Sequence, residues 1–176
     1  MRSFLLFHVL VPLLAFVSLF VPALAGATSQ RAAEIEKVQH YRQVTWHWQK
    51  IIGVAKTPTT YAERTTVDRD YRHWLLRLWR SRAVRALKTA ANIPHERQWR
   101  CIHTREGSWT ANTGNGYYGG LQMNLTFQQR YGRWLFRHKG TADHWTPLEQ
   151  MWTAEKALKS RGFWPWPNTA RSCGLL

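Results

Sequence analysis

Acidic residues are what this chain has least of. Ten Asp and Glu stand against 25 Lys and Arg, a formal charge of +15 at pH 7. Such an imbalance draws a protein to polyanions: nucleic acid, anionic lipid or acidic cell-wall polymer. It names a class of partner and leaves the chemistry open. Cysteine is nearly absent too, with only Cys101 and Cys173. Neither belongs to a CxxC pair or has His companions at ligand spacing, so no metal site and no cofactor are expected. In an oxidising compartment an isolated pair of this kind is expected to form a disulfide. Closing so long a loop stabilises by about 4 kcal/mol in the chain-entropy model. Internal repeats and low-complexity tracts are lacking as well.

What is present begins with the N-terminus. Arg2 makes a short positive start, Phe4 to Val21 is almost wholly apolar, and Pro22-Ala23-Leu24-Ala25 offers small residues where a signal peptidase reads. This composition predicts a secretory signal over residues 1–25, cut after Ala25. The apolar run also approaches the ~18–20 residues of a membrane span, so an uncleaved anchor is the alternative. Both readings place the rest of the chain outside the cytoplasm, secreted or associated with the cell wall. They remove intracellular nucleic acid as a natural partner. The hydrophobic fraction of 44% is enough for a packed core in a chain of 176 residues. The 11 Trp serve that core first. Some are expected along a groove, because aromatic faces also stack on sugar rings.

Residues 26–55 read as a helix that Ser29 can cap, with Ile35, Val38, Tyr41, Trp48 and Ile52 at helical intervals. A second helix is predicted over 67–91, with Thr66 as its cap and Asp68 and Asp70 in its first turn. Its apolar stripes run through Tyr71, Trp74, Leu75 and Leu78 and through Trp79, Ala83 and Ala86. Arg72, Arg77, Arg80, Arg82, Arg85 and Lys88 load the remaining surface with positive charge. This basic helical region, 26–95, is a solvated surface or a binding face for anionic wall polymers. A third domain, 96–176, follows. It opens on a short helix, 96–106, and leads into a Gly- and Asn-rich stretch unfit for helix. There Asn115-Gly116 is a hairpin-turn pair, with Tyr117, Tyr118 and Leu121 forming a short second strand. Asn124 or Thr126 opens another helix, through Tyr131. Thr146-Pro147-Leu148-Glu149 is a strong helix start, and that helix continues to about Ser160. His138, Lys139 and His144 read as loop surface. Trp164 and Trp166 read as core plugs near the disulfide.

A helix ending on an acid, followed by a hairpin rich in Tyr, Asn and Gln, has physical sense for glycoside cleavage. The acid must protonate the oxygen of the leaving sugar, which calls for a partly buried, apolar setting. Glu106 holds that position, and Trp109, Tyr117 and Tyr118 can supply the setting. One Tyr is expected under the hairpin and the other on a groove. Asn115 and Gln122 either contact substrate amides or stabilise the turn. Arg105 and His103 create a tension, since a nearby cation favours the ionised carboxylate. Adjacent helical side chains diverge, so Arg105 is expected to point away.

The run from Asn112 to Gln122, NTGNGYYGGLQ, resembles the signature of resuscitation-promoting factors and their transglycosylase-like relatives. The further matching pieces are Glu106, Trp109, Phe127-Gln128-Gln129, Glu149-Gln150, Trp166-Pro167 and Cys173. Together they span roughly residues 98–174. In that family a Cys directly precedes the catalytic Glu; in this chain Arg105 stands there and Cys101 lies one turn back. The link from Glu to Trp is also shorter, Gly107-Ser108. The resemblance implies an α+β, predominantly α, lysozyme-like domain with a short β-hairpin, preceded by a helical hairpin. It implies Glu106 as the catalytic acid and peptidoglycan glycan strands as substrate, with no specific protein partner. After Glu106 only Asp143, Glu149 and Glu155 remain as acids, and none lies in the hairpin. Two-carboxylate cleavage needs a partner about 5–5.5 Å or about 6.5–9.5 Å away, so a one-carboxylate mechanism is expected. Glu149 is expected to cap its helix instead. A non-catalytic glycan-binding module on the same fold is the alternative, and a basic membrane-active protein is a second rival.

Overall fold

The computed structural model describes residues 21–176, with side chains from residue 28 onward. Most of the expected signal segment therefore lies outside the described residues. Helix α1 spans Val21–Ile52, and a single turn, α2, spans Tyr61–Thr65. Helix α3 spans Arg69–Ala91. It begins two residues later than expected. Asp68, not Thr66, is its cap: the Asp68 carboxylate accepts the Tyr71 N–H at 2.6 Å, while Thr66 Oγ1 accepts the Asp68 N–H at 3.2 Å. A carboxylate beside the positive end of the helix is the better partner.

Helices α1 and α3 pair along Val38, Leu75 and Trp79, all buried. Their polar seams are occupied. Arg72 is buried and bonds Glu34 at 3.1 Å, so it does not belong to the basic surface. Glu63 receives Arg42 and the Trp79 indole N–H. Trp74, expected on the apolar stripe, is instead exposed and stacks on Tyr71.

The rest of the chain follows as α4, Glu96–Glu106; β1, Tyr117–Tyr118; β2, Met123–Asn124; α5, Leu125–Tyr131; α6, Arg133–Lys139; a 3-10 turn, Ala142–His144; α7, Pro147–Arg161; and α8, Pro167–Ser172. The fold is α+β, predominantly α, with one two-stranded hairpin in which Tyr117 pairs with Asn124 and Tyr118 with Met123. The turn therefore falls at 119–122 rather than at Asn115-Gly116. Tyr117-Tyr118 is the first strand, and Leu121 is fully buried in the turn. Asn115 spends its side chain locally, accepting the Tyr117 N–H at 3.0 Å.

One core holds Trp99, Ile102, Leu121, Met123, Met151, Ala154 and Trp166, together with Trp48 and Ile51 from α1 and Ala86 and Ala90 from α3. The Trp152 indole N–H reaches back to the Ala90 carbonyl at 2.7 Å. Helix α7 starts on a complete capping box between Thr146 and Glu149, with Pro147 in its first turn. Glu149 also takes both contacts of Lys139, at 2.7 and 2.8 Å, and His47 Nε2 at 2.8 Å. Lys139 is thus an ion-pair partner at the end of α6, not loop surface. Among the described residues no helix is long and apolar enough to cross a membrane.

Candidate active site

Glu106 is the last residue of α4, half-buried, where Gly107 ends the helix. Gly107 adopts φ of 153°, and a Cβ there would lie 3.7 Å from that of Ala111 and 3.8 Å from Gln122 Nε2. The hairpin amide thus sits against the residue that follows the acid. Arg105 turns away from Glu106, as the divergence of adjacent helical side chains requires. Its guanidinium donates to the Cys101 carbonyl at 3.1 Å and approaches Cys101 Sγ at 2.9 Å. Among the described residues Glu106 has no ion pair. Its partner is a neutral hydroxyl: Thr169 Oγ1 donates to Glu106 Oε1 at 2.7 Å.

Thr169 sits on α8, a helix that sequence reasoning missed although Pro167 stands at its first position; nothing in the sequence signalled the contact with Glu106. Two restraints hold α8 against α4. The disulfide joins Cys101 on α4 to Cys173 just past α8, with Cα atoms 6.1 Å apart. At the other end Trp166 is buried, and its indole N–H donates to the Leu121 carbonyl at 2.6 Å. The one-turn displacement of Cys101 from the acid still reaches the tail. Trp164, by contrast, is 61% exposed and is no core plug.

The remaining site candidates divide. Tyr117 is exposed and lines a groove of about 220 Å³ with Gln122, Arg161 and Trp166. Tyr118 packs beneath the hairpin against the core, so the two tyrosines split as expected. Trp109 also packs inward, its ring stacked on His103 with centroids 3.9 Å apart. Gln122 Nε2 donates to the Gly119 carbonyl at 2.9 Å, and Asn115 Nδ2 approaches Gln122 Oε1 at 3.5 Å. These amides therefore stabilise the turn. Gln122 has φ of 44°, the left-handed conformation rarely adopted by residues other than glycine.

The hairpin is fixed by a residue that sequence reasoning matched to a motif without giving it a task. Gln150, fully buried on α7, accepts the Gly120 N–H at 2.9 Å. Its amide group donates to the carbonyls of Trp109, Ala142 and Trp145 at 2.7, 2.9 and 3.0 Å. Gly120 must be glycine: a Cβ would lie 2.5 Å from His103 Nδ1 and 2.7 Å from Trp109 Cε3.

The other acids of the domain are engaged elsewhere. Glu149 is clasped by Lys139, His47 and the Thr146 N–H, and these partners overcome its burial and hold its carboxyl down to about 2. Glu155 is bonded to the Trp99 indole and to His95. Asp143 accepts from Asn112 Nδ2 at 3.3 Å, at the base of the hairpin. Among the described residues no group of three or more His, Cys, Asp and Glu is placed to hold a metal.

Comparison with known proteins agrees with this geometry. Residues 93–169 match the model of the transglycosylase-like domain family. A resuscitation-promoting factor of Corynebacterium glutamicum is 39% identical over 69 residues, covering 39% of this chain and 35% of its own length. RpfE of Mycobacterium tuberculosis is 39% identical over 66 residues, 37% of this chain and 35% of the relative. RpfD of the same organism is 32% identical over 93 residues, 52% and 56%. The chain thus spans about a third to a half of the length of these relatives. The acid-ending helix and the glycine-dependent hairpin both fall inside the matched stretch: residues 93–169 are similar to the transglycosylase-like domain, and the chain is similar over part of its length to resuscitation-promoting factors.

Proposed function

We propose that this protein is a secreted enzyme that cleaves the glycan strands of peptidoglycan, as a lytic transglycosylase with Glu106 as its single acid and base. The observation that carries the reading is the setting of Glu106: at a helix end, half-buried, without a cation partner among the described residues and held by a neutral hydroxyl. An acid catalyst has to carry a proton before it gives one up, and a salt-bridged carboxylate is a poor carrier. Glu106 protonates the glycosidic oxygen as the bond to C1 breaks. The N-acetyl carbonyl oxygen of the same sugar bonds to C1 and holds the positive charge. Glu106, now a carboxylate, takes the proton from the C6 hydroxyl. That oxygen displaces the acetamido oxygen at C1, leaving a 1,6-anhydro end and the Glu106 proton restored. No second carboxylate is required. Tyr117 and Arg161 offer a stacking face and a cation along the groove.

The test is digestion of purified peptidoglycan by the wild-type protein and by Glu106→Gln, with products read by mass spectrometry. Anhydro-muropeptides are expected from the wild type, with a loss of at least about a hundredfold in the variant. Reducing-end products would keep Glu106 as the acid and make the reaction hydrolysis. A folded wild-type protein that binds the wall and releases nothing would make the domain a binding module.

A further inference from the structure

The surplus of positive charge gathers in more than one place. Helix α3 alone presents Arg77, Arg80, Arg85 and Lys88 to solvent. A recess of about 280 Å³, in contrast, is lined by Lys50 from α1, Arg130 from α5, Arg133 and Arg137 from α6 and Lys156 from α7, around Trp134. Five cations from four helices meet at one concavity. No carboxylate lines it. Among the described residues none of the five makes a salt bridge or a side-chain hydrogen bond; Arg130 only lies 5.4 Å from the centre of the Tyr131 ring. The carboxylate of Glu149, on the same helix as Lys156, is saturated by Lys139, His47 and its own cap. Burial, and the like charges of Lys50 and Lys159, press the Lys156 ammonium below its ordinary value. Like charges gathered without a counter-charge cost stability, and an anionic ligand would recover it.

We propose that this recess binds a phosphodiester polymer. Three guanidiniums suit phosphate oxygens, which they engage through paired N–H donors. Five charges exceed what one carboxylate can use and match a chain with repeated negative groups. A membrane surface is the poorer fit. Surface-seated helices set bulky apolar side chains beside their cations, and none of the exposed large hydrophobics lines this recess. The location also has direction. Arg130 and Tyr131 line both the recess and the groove that holds Tyr117 and Gln122. A polymer seated in the recess therefore runs up to that groove, and the recess acts as an anchor for an anionic strand beside it.

The experiment measures binding of soluble poly(glycerol phosphate) to the full chain by calorimetry at fixed ionic strength. Arg133→Gln/Arg137→Gln is compared with Arg77→Gln/Arg80→Gln, which removes the same charge from α3. All four residues are exposed, and thermal melting checks that both variants fold. The recess variant is expected to raise Kd about tenfold or more and to flatten the salt dependence, while the α3 variant changes Kd less than about twofold. Equal losses in the two variants would overturn the proposal in favour of diffuse attraction by net charge. Equal affinity for polyglutamate of matched charge would overturn the phosphate assignment. Binding confined to phosphatidylglycerol vesicles, with none to the soluble polymer, would overturn the polymer in favour of a lipid surface.

Discussion

Thr169 Oγ1 has two acceptors within reach, Glu106 Oε1 at 2.7 Å and the Trp166 carbonyl at 3.3 Å. A hydroxyl so placed serves the carboxyl in both of its states. It donates to the carboxylate; when the carboxyl is protonated, it accepts a hydrogen bond from the carboxyl O–H and turns its own hydrogen to the Trp166 carbonyl. Thr169→Val is expected to lower kcat about tenfold, roughly the 1.4 kcal/mol of one hydrogen bond to a charged group. Thr169→Ser should restore the rate. A displaced pH–rate profile in the Val variant separates positioning of the acid from simple loss of fold, and an unchanged kcat would remove Thr169 from the mechanism. Gly120→Ala tests the hairpin at the same scale. The added methyl collides with His103 and Trp109, and a loss of about 1–3 kcal/mol is expected in chemical denaturation. Glu106 could be singled out as a candidate in the sequence because it ends a helix shortly before the eleven-residue run Asn112 to Gln122. Thr169 could not be, because its place depends on a disulfide and a buried Trp that bring the tail back across the chain.

At the scale of elements, the long helices were readable from their periodicity, but the starts of α1 and α3 were not: Asp68 rather than Thr66 caps α3, and Ser29, expected as a cap, lies inside α1. The Thr146 start of α7 holds to the residue, because a Ser or Thr cap with Glu three residues on satisfies the free N–H groups in only one register. Helix α6 escaped notice because Gly132 opens it without a side-chain cap. The hairpin was found but misplaced by four residues. Asn-Gly is a strong local turn signal, yet the turn is decided by contact with α7. Gln150 pulls Gly119 and Gly120 into a bend that no residue with a side chain could follow. Gln150→Ala leaves the Gly120 N–H and the carbonyls of Trp109 and Trp145 without this partner, while the Ala142 carbonyl keeps the Trp145 N–H at 3.0 Å, and is expected to cost about 2–4 kcal/mol. Hydrogen exchange should show the loss first at the amides of the hairpin, with α1 and α3 still protected. Uniform loss across the molecule would mean that Gln150 supports the whole core rather than this element.

The whole molecule is joined by the cluster of Glu149, Lys139 and His47, which brings α1, α6 and α7 together. The Glu149 carboxyl is held at about 2 in the fold against an ordinary 4.5. A lowered carboxyl contributes stability that is complete above about 4.5 and drains away as pH falls toward 2. Acid unfolding followed by circular dichroism should show that limb, and Glu149→Gln should be less stable at neutral pH and flatter between pH 5 and 2 on this account. An identical acid limb in the variant would assign it to other carboxyls.

The shared core has a further meaning when the chain is considered as a product of descent. The transglycosylase-like model matches residues 93–169, yet Trp48, Ile51, Ala86 and Ala90 lie in the same core as Trp99 and Met151. The matched segment is therefore smaller than the segment that folds around its core. A recombination that moved only the matched segment would cut through packed side chains, so the helical pair and the domain are bound to evolve as companions.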